Sequence, residues 1–152
     1  MGGSIAYEVA ALLQKLGKTV KFVFMFDSWA FFSNDFRRRE FFIEYITKQN
    51  KDYAKLLVTV NNEESKKLID ANWGLLQLLV DYKPRRSNQI RIILFKAEQV
   101  DEYHATNIDH KDNHWSNYCT SVTTYLSPGN HSTILENEGL INIVRTLNSF
   151  LA

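Results

Sequence analysis

One cysteine, Cys119, stands in 152 residues, so no disulfide within the chain can staple the fold. A lone thiol suits a reducing compartment, and the expectation is a cytoplasmic protein. No apolar run approaches the ~20 residues that a membrane span requires. The N-terminus has neither the basic nor the apolar region of a secretory signal. Neither sign of charge is in excess: 18 Lys and Arg against 17 Asp and Glu leave a net +1. That balance gives no electrostatic footing for a nucleic-acid partner. The one basic cluster, Arg37-Arg38-Arg39, is flanked by Asp35 and Glu40 and reads as a solvated helix face rather than a phosphate site. Internal repeats and low-complexity segments are also missing.

What the chain does have is an ordinary globular composition, 45% hydrophobic and 23% charged, at a length suited to one domain. Ile5, Val9, Leu12, Leu13 and Leu16 recur at helical spacing, which predicts a helix over Ser4 to Leu16 with Gly17 at its end. The run Val20 to Phe26 is apolar except at Lys21 and predicts a parallel strand covered on both faces. Ile90 to Phe95 gives the same signal, and Val122 to Leu126 a weaker one. A final helix over about Leu135 to Leu151 carries Leu140, Ile141, Val144, Leu147 and Leu151 as one stripe. Between the first two strands lies an insertion, about residues 30–86, with helices expected from Asn34 or Asp35 to Lys48 and from Asn62 to Tyr82. This order is that of an α/β domain with a parallel sheet. Three strands make a poor whole, however, because Val20 to Phe26 would leave a long apolar edge. The expectation is that sequence is missing before Met1.

Three short motifs carry a resemblance to a known family. Met1-Gly2-Gly3-Ser4-Ile5-Ala6-Tyr7-Glu8-Val9-Ala10 resembles the helix after the nucleophile in thioesterases of nonribosomal peptide and polyketide synthesis. The family's elbow reads G-x-S-x-G-G and is followed by an apolar-A-[FY]-E-[MVA]-A helix. Phe24-Met25-Phe26-Asp27-Ser28 is similar to the family's apolar-apolar-D-S strand end, and Pro128-Gly129-Asn130-His131 to its G-[DN]-H turn. The resemblance is strongest over the first 28 residues and weakest through the insertion, where this family carries a variable helical lid. It implies the C-terminal part of an α/β-hydrolase fold: parallel strands, flanking helices and a helical lid insertion in one partial domain, 1–152.

The resemblance also implies roles. Aligned on the double glycine, Met1 directly follows the nucleophilic serine, which would lie one position before the chain. The order missing Ser, Asp27, His131 is the nucleophile–acid–base order of α/β-hydrolases. His131 would take the serine proton, Asp27 would hold the imidazole in its working tautomer, and the backbone N–H of Met1 would supply half of an oxyanion hole. The substrate would be an acyl or peptidyl chain on the phosphopantetheine arm of a carrier protein, released by hydrolysis or cyclisation. No resident cofactor is implied, since the phosphopantetheine arrives with the substrate. Without the serine this chain alone would be inactive. A rival of another class is a non-catalytic remnant that binds a carrier protein or partner subunit. Self-association through strand 20–26 is a further expectation.

Other candidates have bland readings beside them. Gly2-Gly3-Ser4-Ile5-Ala6 imitates a degenerate elbow, but no strand leads into it, so Ser4 reads as an ordinary helix residue. Cys119 reads as a small buried hydrophobe rather than a nucleophile. Asp101, Glu102, His104, Asp109, His110, Asp112 and His114 crowd one segment, yet match no metal-ligand spacing and read as a polar loop that positions Trp115.

Overall fold

The computed structural model describes residues 1–49, 63–100 and 111–151. In chain order the elements are α1 (Gly2–Lys15), β1 (Val23–Phe26), a 3₁₀ turn (Asn34–Arg37), α2 (Arg39–Gln49) and α3 (Glu63–Asp81). They continue with β2 (Arg91–Ala97), a second 3₁₀ turn (Trp115–Asn117), β3 (Ser121–Ser127) and α4 (Asn137–Leu151). These elements form two compact units, one from Met1–Ala30 with Lys83–Ala152 and the other from Phe31–Tyr82.

The first unit is built on a parallel sheet in the order β1-β2-β3. Val23 pairs with Ile92 and Phe26 with Phe95, while Arg91 pairs with Ser121 and Ala97 with Ser127. All three strands therefore end on one side of the sheet. Side chains alternate between its faces. Ile92 and Leu94 join Tyr7, Ala10, Val23, Met25, Trp115 and Cys119 in one apolar cluster. Ile93, Phe95 and Ala97 join Ile143 in the other, with Phe22, Phe24, Leu147 and Phe150 packed against it. Thus α1 covers one face and α4 the other.

The helices turn differently from the sequence expectation. In α1 the buried positions are Ser4, Tyr7 and Ala10, while Ile5, Val9, Leu12, Leu13 and Leu16 are all exposed. In α4 Gly139 and Ile143 are buried, with Leu147 and Phe150 packed inward, and Leu140, Ile141 and Val144 face out. A helix can bury only the side that meets the sheet, and three strands are too narrow to reach the rest of each apolar stripe. The small residues of α1 let its backbone lie close to β1. Gly3 is one cause of that closeness: a Cβ there would sit 2.5 Å from Ser28 Cβ.

Strand limits also shift. β1 begins at Val23 rather than Val20, because pairing starts at the Val23–Ile92 contact. Val20 and Phe22 still pack on the two faces from outside the ladder. β2 continues two residues past the expected Phe95, through Lys96 and Ala97.

The second unit is helical among its described residues. Where one helix was expected from Asn34 or Asp35, Ser33 caps a 3₁₀ turn by accepting the Asp35 N–H. Arg38 is then extended, and α2 starts at Arg39. Phe36 is fully buried, ringed edge-on by Phe32, Phe41 and Tyr45 at 5.0–5.8 Å. Phe42 packs on Trp73 at 5.3 Å. The three arginines pair with acids of this unit: Arg37 with Asp81, Arg38 with Asp35 and Arg39 with Asp70. The expected start of the second helix, Asn62, lies outside the described residues.

Candidate active site

Asp27 is the first residue past β1, on the side of the sheet where all three strands end. Its backbone is left-handed, at φ 41°, a conformation aspartate tolerates better than most residues. The Asp27 N–H donates to the Phe95 carbonyl at 2.7 Å, which carries the pairing of β1 with β2 up to Asp27. The residue is 5% exposed. One oxygen, Oδ1, accepts the Ala97 N–H at 3.1 Å, and the other, Oδ2, lies 3.0 Å from His131 Nδ1.

His131 reaches this position from a braced turn after β3. Gly129, at φ 102°, makes the reversal that a side chain would strain, and its carbonyl accepts the Gln99 N–H at 3.0 Å. Asn130 Oδ1 accepts from the amides of Ser132 and Thr133. A close approach of Gly139 to Pro128 and Ile134 and a bond from Ser127 Oγ to the Gly139 carbonyl anchor the start of α4. The imidazole itself is 57% exposed, against 7% for the Asp27 side chain. An ionised carboxylate only accepts hydrogen bonds, so Nδ1 carries the proton and Nε2 is left as the ring's accepting nitrogen. A base at Nε2 backed by a buried acid is the arrangement that withdraws a proton from a hydroxyl.

Met1 stands at the start of α1, where its carbonyl accepts the amides of Ser4 and Ile5. That end of the helix abuts Ser28 through Gly3, one residue beyond Asp27. Ser4 is buried in the first turn of α1. Cys119 is buried, its sulfur 3.3 Å from the carbonyls of Trp115 and Ser121. Burial pushes its thiol up to about 11, so it stays protonated and unreactive at neutral pH. Of the His- and Asp-rich segment, residues 101–110 lie outside the described residues. Asp112 accepts the His114 N–H at 3.0 Å, and among the described residues no group of three or more His, Cys, Asp and Glu could hold a metal ion.

Three residues that hold the site were not predicted in these roles. Trp115, fully buried, donates its indole N–H to the Ser28 carbonyl at 2.8 Å. Asn113, also fully buried, donates its side-chain N–H to the same carbonyl at 3.2 Å, and its backbone carbonyl accepts the Ala30 N–H. Lys96 is 5% exposed at the end of β2. The signal available for Lys96 was a charge beside the end of an otherwise apolar run.

A parallel sheet between helices, with a carboxylate and an imidazole joined at its strand ends, is of the α/β-hydrolase type. The chain belongs to the thioesterase domain family, whose profile matches residues 1–151. Among solved structures it is similar to the Vlm2 thioesterase domain bound with a dodecadepsipeptide. That match has a TM-score of 0.64 at 21% identity and covers 97% of this chain and 62% of that one. The SrfTE thioesterase domain, which cyclises the lipopeptide antibiotic surfactin, matches with a TM-score of 0.63 at 23% identity, over 99% and 64%. The four-domain nonribosomal peptide synthetase AB3403 matches with a TM-score of 0.62 at 20% identity, over 98% of this chain and 14% of that one. The chain thus spans less than two thirds of the thioesterase domains it matches, and at these identities the likeness speaks for the fold. No curated protein sequence matches it significantly. Among the described residues no helix is long and apolar enough to cross a membrane.

Proposed function

We propose that the chain supplies the acid and the base of a serine-type thioesterase that releases an acyl or peptidyl chain from a carrier protein. Asp27 is the acid and His131 the base; the nucleophile is a serine directly before Met1. The observation that carries this reading is the 3.0 Å contact between His131 Nδ1 and Asp27 Oδ2 at the strand ends. His131 Nε2 takes the serine proton as the oxygen adds to the thioester carbonyl. The backbone N–H of Met1, as a peptide amide, stabilises the oxyanion, a contribution of about 3 kcal/mol per donor in comparable sites. Collapse expels the phosphopantetheine thiolate, which takes the proton back from His131. Water or a nucleophile of the bound chain then attacks the acyl-serine by the same exchange, giving hydrolysis or cyclisation.

The partner in this reading is an acyl or peptidyl carrier protein, in keeping with a fold shared with a four-domain nonribosomal peptide synthetase. Phosphopantetheine comes with that partner, so the site needs no resident cofactor. The single thiol, Cys119, fits work in the cytoplasm.

A serine-directed fluorophosphonate tests the reading. The 152-residue chain should take up no label, whereas a form extended upstream through a strand ending in G-x-S should label stoichiometrically at that serine. In the extended form, Asp27→Asn and His131→Ala should each slow labelling by 10²-fold or more, on the order of what triads elsewhere lose. Labelling at Ser4, or undiminished labelling of His131→Ala, would refute the assignment.

A further inference from the structure

The turn that carries Asp27 is gripped at the residue after it. The Ser28 carbonyl accepts two side-chain donors from one segment, the Trp115 indole N–H at 2.8 Å and the Asn113 amide N–H at 3.2 Å. A carbonyl oxygen has two lone pairs, so this one is saturated and its direction fixed. The backbone adds a tie two residues on, where the Ala30 N–H donates to the Asn113 carbonyl at 3.0 Å. The Ser28 side chain in turn lies against Gly3, too close to leave room for a Cβ there. Before the turn, the Asp27 N–H is held by the Phe95 carbonyl. Asp27 is thus pinned through the backbone on both sides.

This grip comes with backbone strain and a dry polar atom. Among the described residues four non-glycine residues have positive φ, and three of them, Asp27, Asn113 and His114, meet at this junction. Left-handed backbone is uphill for residues other than glycine and persists where surrounding contacts hold it. The Asp112 carboxylate accepts the His114 N–H and its carbonyl the Trp115 N–H, each at 3.0 Å, which braces the corner. Asn113 is fully buried, yet its Oδ1 has no hydrogen-bond partner among the described residues. A buried amide oxygen left dry is destabilising; the bond from the other end of the amide to Ser28 accounts for an amide at that position. Across the grip lies the carboxylate. Its Oδ1 accepts the Ala97 N–H at 3.1 Å, and its Oδ2 lies 3.0 Å from His131 Nδ1. The two oxygens address two different elements, so a rotation of the Asp27–Ser28 peptide would misalign one or both.

We propose that Trp115 and Asn113 are positioning residues for the acid: by holding the Ser28 carbonyl they fix the left-handed turn at Asp27, and with it the direction in which the carboxylate meets Ala97 and His131. The inference rests on reading Asp27 and His131 as acid and base. It adds the two residues that set the angle of the acid.

Ala97 supplies the readout, because its amide reports on Asp27 Oδ1 and needs neither His131 nor turnover. Amide exchange is followed by NMR in the 152-residue chain, with the Leu94 amide of the same strand as internal reference. Trp115→Phe keeps a ring and removes the indole N–H. Exchange at Ala97 should then quicken roughly fivefold or more relative to Leu94, the worth of one hydrogen bond between neutral groups. Tyr7→Phe, which weakens the same apolar cluster but leaves both Ser28 donors in place, should keep that ratio within about twofold of the parent. A merely structural loss moves both amides together. An unchanged ratio in Trp115→Phe, or an equal change in Tyr7→Phe, overturns the proposal. Should Trp115→Phe not fold, Asn113→Gly decides, since glycine keeps the left-handed backbone and the carbonyl on Ala30 and removes only the amide donor. A faster Ala97 relative to Leu94 in that variant supports the proposal, and an unchanged ratio overturns it. Fluorophosphonate labelling of Asp27→Asn tests the role of the acid itself, so the two readings fail separately.

Discussion

Tyr7 offers a sharp stability experiment. It is fully buried, 5.3 Å from the Trp115 ring, and its hydroxyl lies 2.7 Å from the Arg85 carbonyl and 2.6 Å from that of Tyr118. One proton is shared between two acceptors, so α1 is tied to the segments that lead into β2 and β3. Tyr7→Phe keeps the ring and loses the tie, at a cost of about 1 kcal/mol near neutral pH, more if both carbonyls are left dry. Burial pushes the Tyr7 phenol up from 10 to about 12. A folded pKa above the unfolded one means stability that is whole below pH 10 and is lost as the pH rises towards 12. Two units correspond to about 3 kcal/mol, a large share of the 5–15 kcal/mol that holds a domain of this size together. Cys119 adds a loss of the same sign in both proteins, from 9 up to about 11, and its charge is a second cause of the Tyr7 shift after burial. Urea unfolding of parent and Tyr7→Phe between pH 7 and 11.5 should therefore give curves that cross. The parent should be more stable below, and Tyr7→Phe above, a pH of about 11. Parallel curves would mean that the hydroxyl does not ionise with this penalty, and the reasoning would be wrong.

Two more outcomes are expected. Gly139→Ala places a methyl 2.4 Å from the Ile134 carbonyl oxygen and 2.7 Å from that of Pro128; it should cost about 2–3 kcal/mol in urea unfolding, whereas an unchanged midpoint would mean that this corner yields freely. Among the described residues β1 is paired on one edge only, by β2, so the isolated chain should self-associate with rising concentration in sedimentation. A monomer at every concentration with all of Val23 to Phe26 protected from amide exchange would show that edge to be covered already.

The strands were legible because apolar runs closed by polar residues have few other readings, and their parallel pairing follows from the long connections between them. Asp27 and His131 could be picked out because each sits in a short motif at a strand end, and the structure brings them into contact. The orientation of α1 and α4 was not legible. Periodicity identifies an apolar stripe, but which side meets the sheet depends on how many strands lie beneath. Ser4, Ala6 and Ala10 make the closer fit to this narrow sheet than the larger Ile5, Val9 and Leu12. The break at Arg38 was hidden because Ser33 caps a short turn of its own ahead of α2, and the extended Arg38 separates the two. Asn113 and Trp115 could be named as a loop, but their shared acceptor, the Ser28 carbonyl, lies some 85 residues earlier.

That separation bears on how the protein is made. Asp27 and His131 are 104 residues apart, an interval that takes about 5–20 s to translate at ordinary rates. For most of that time the left-handed turn at Asp27 has neither its histidine nor the tryptophan and asparagine that hold Ser28. The segment Phe31–Tyr82, a compact unit in its own right, can form while the ribosome is still adding β2. Asp27 and His131 can come together only once the turn after β3 has emerged.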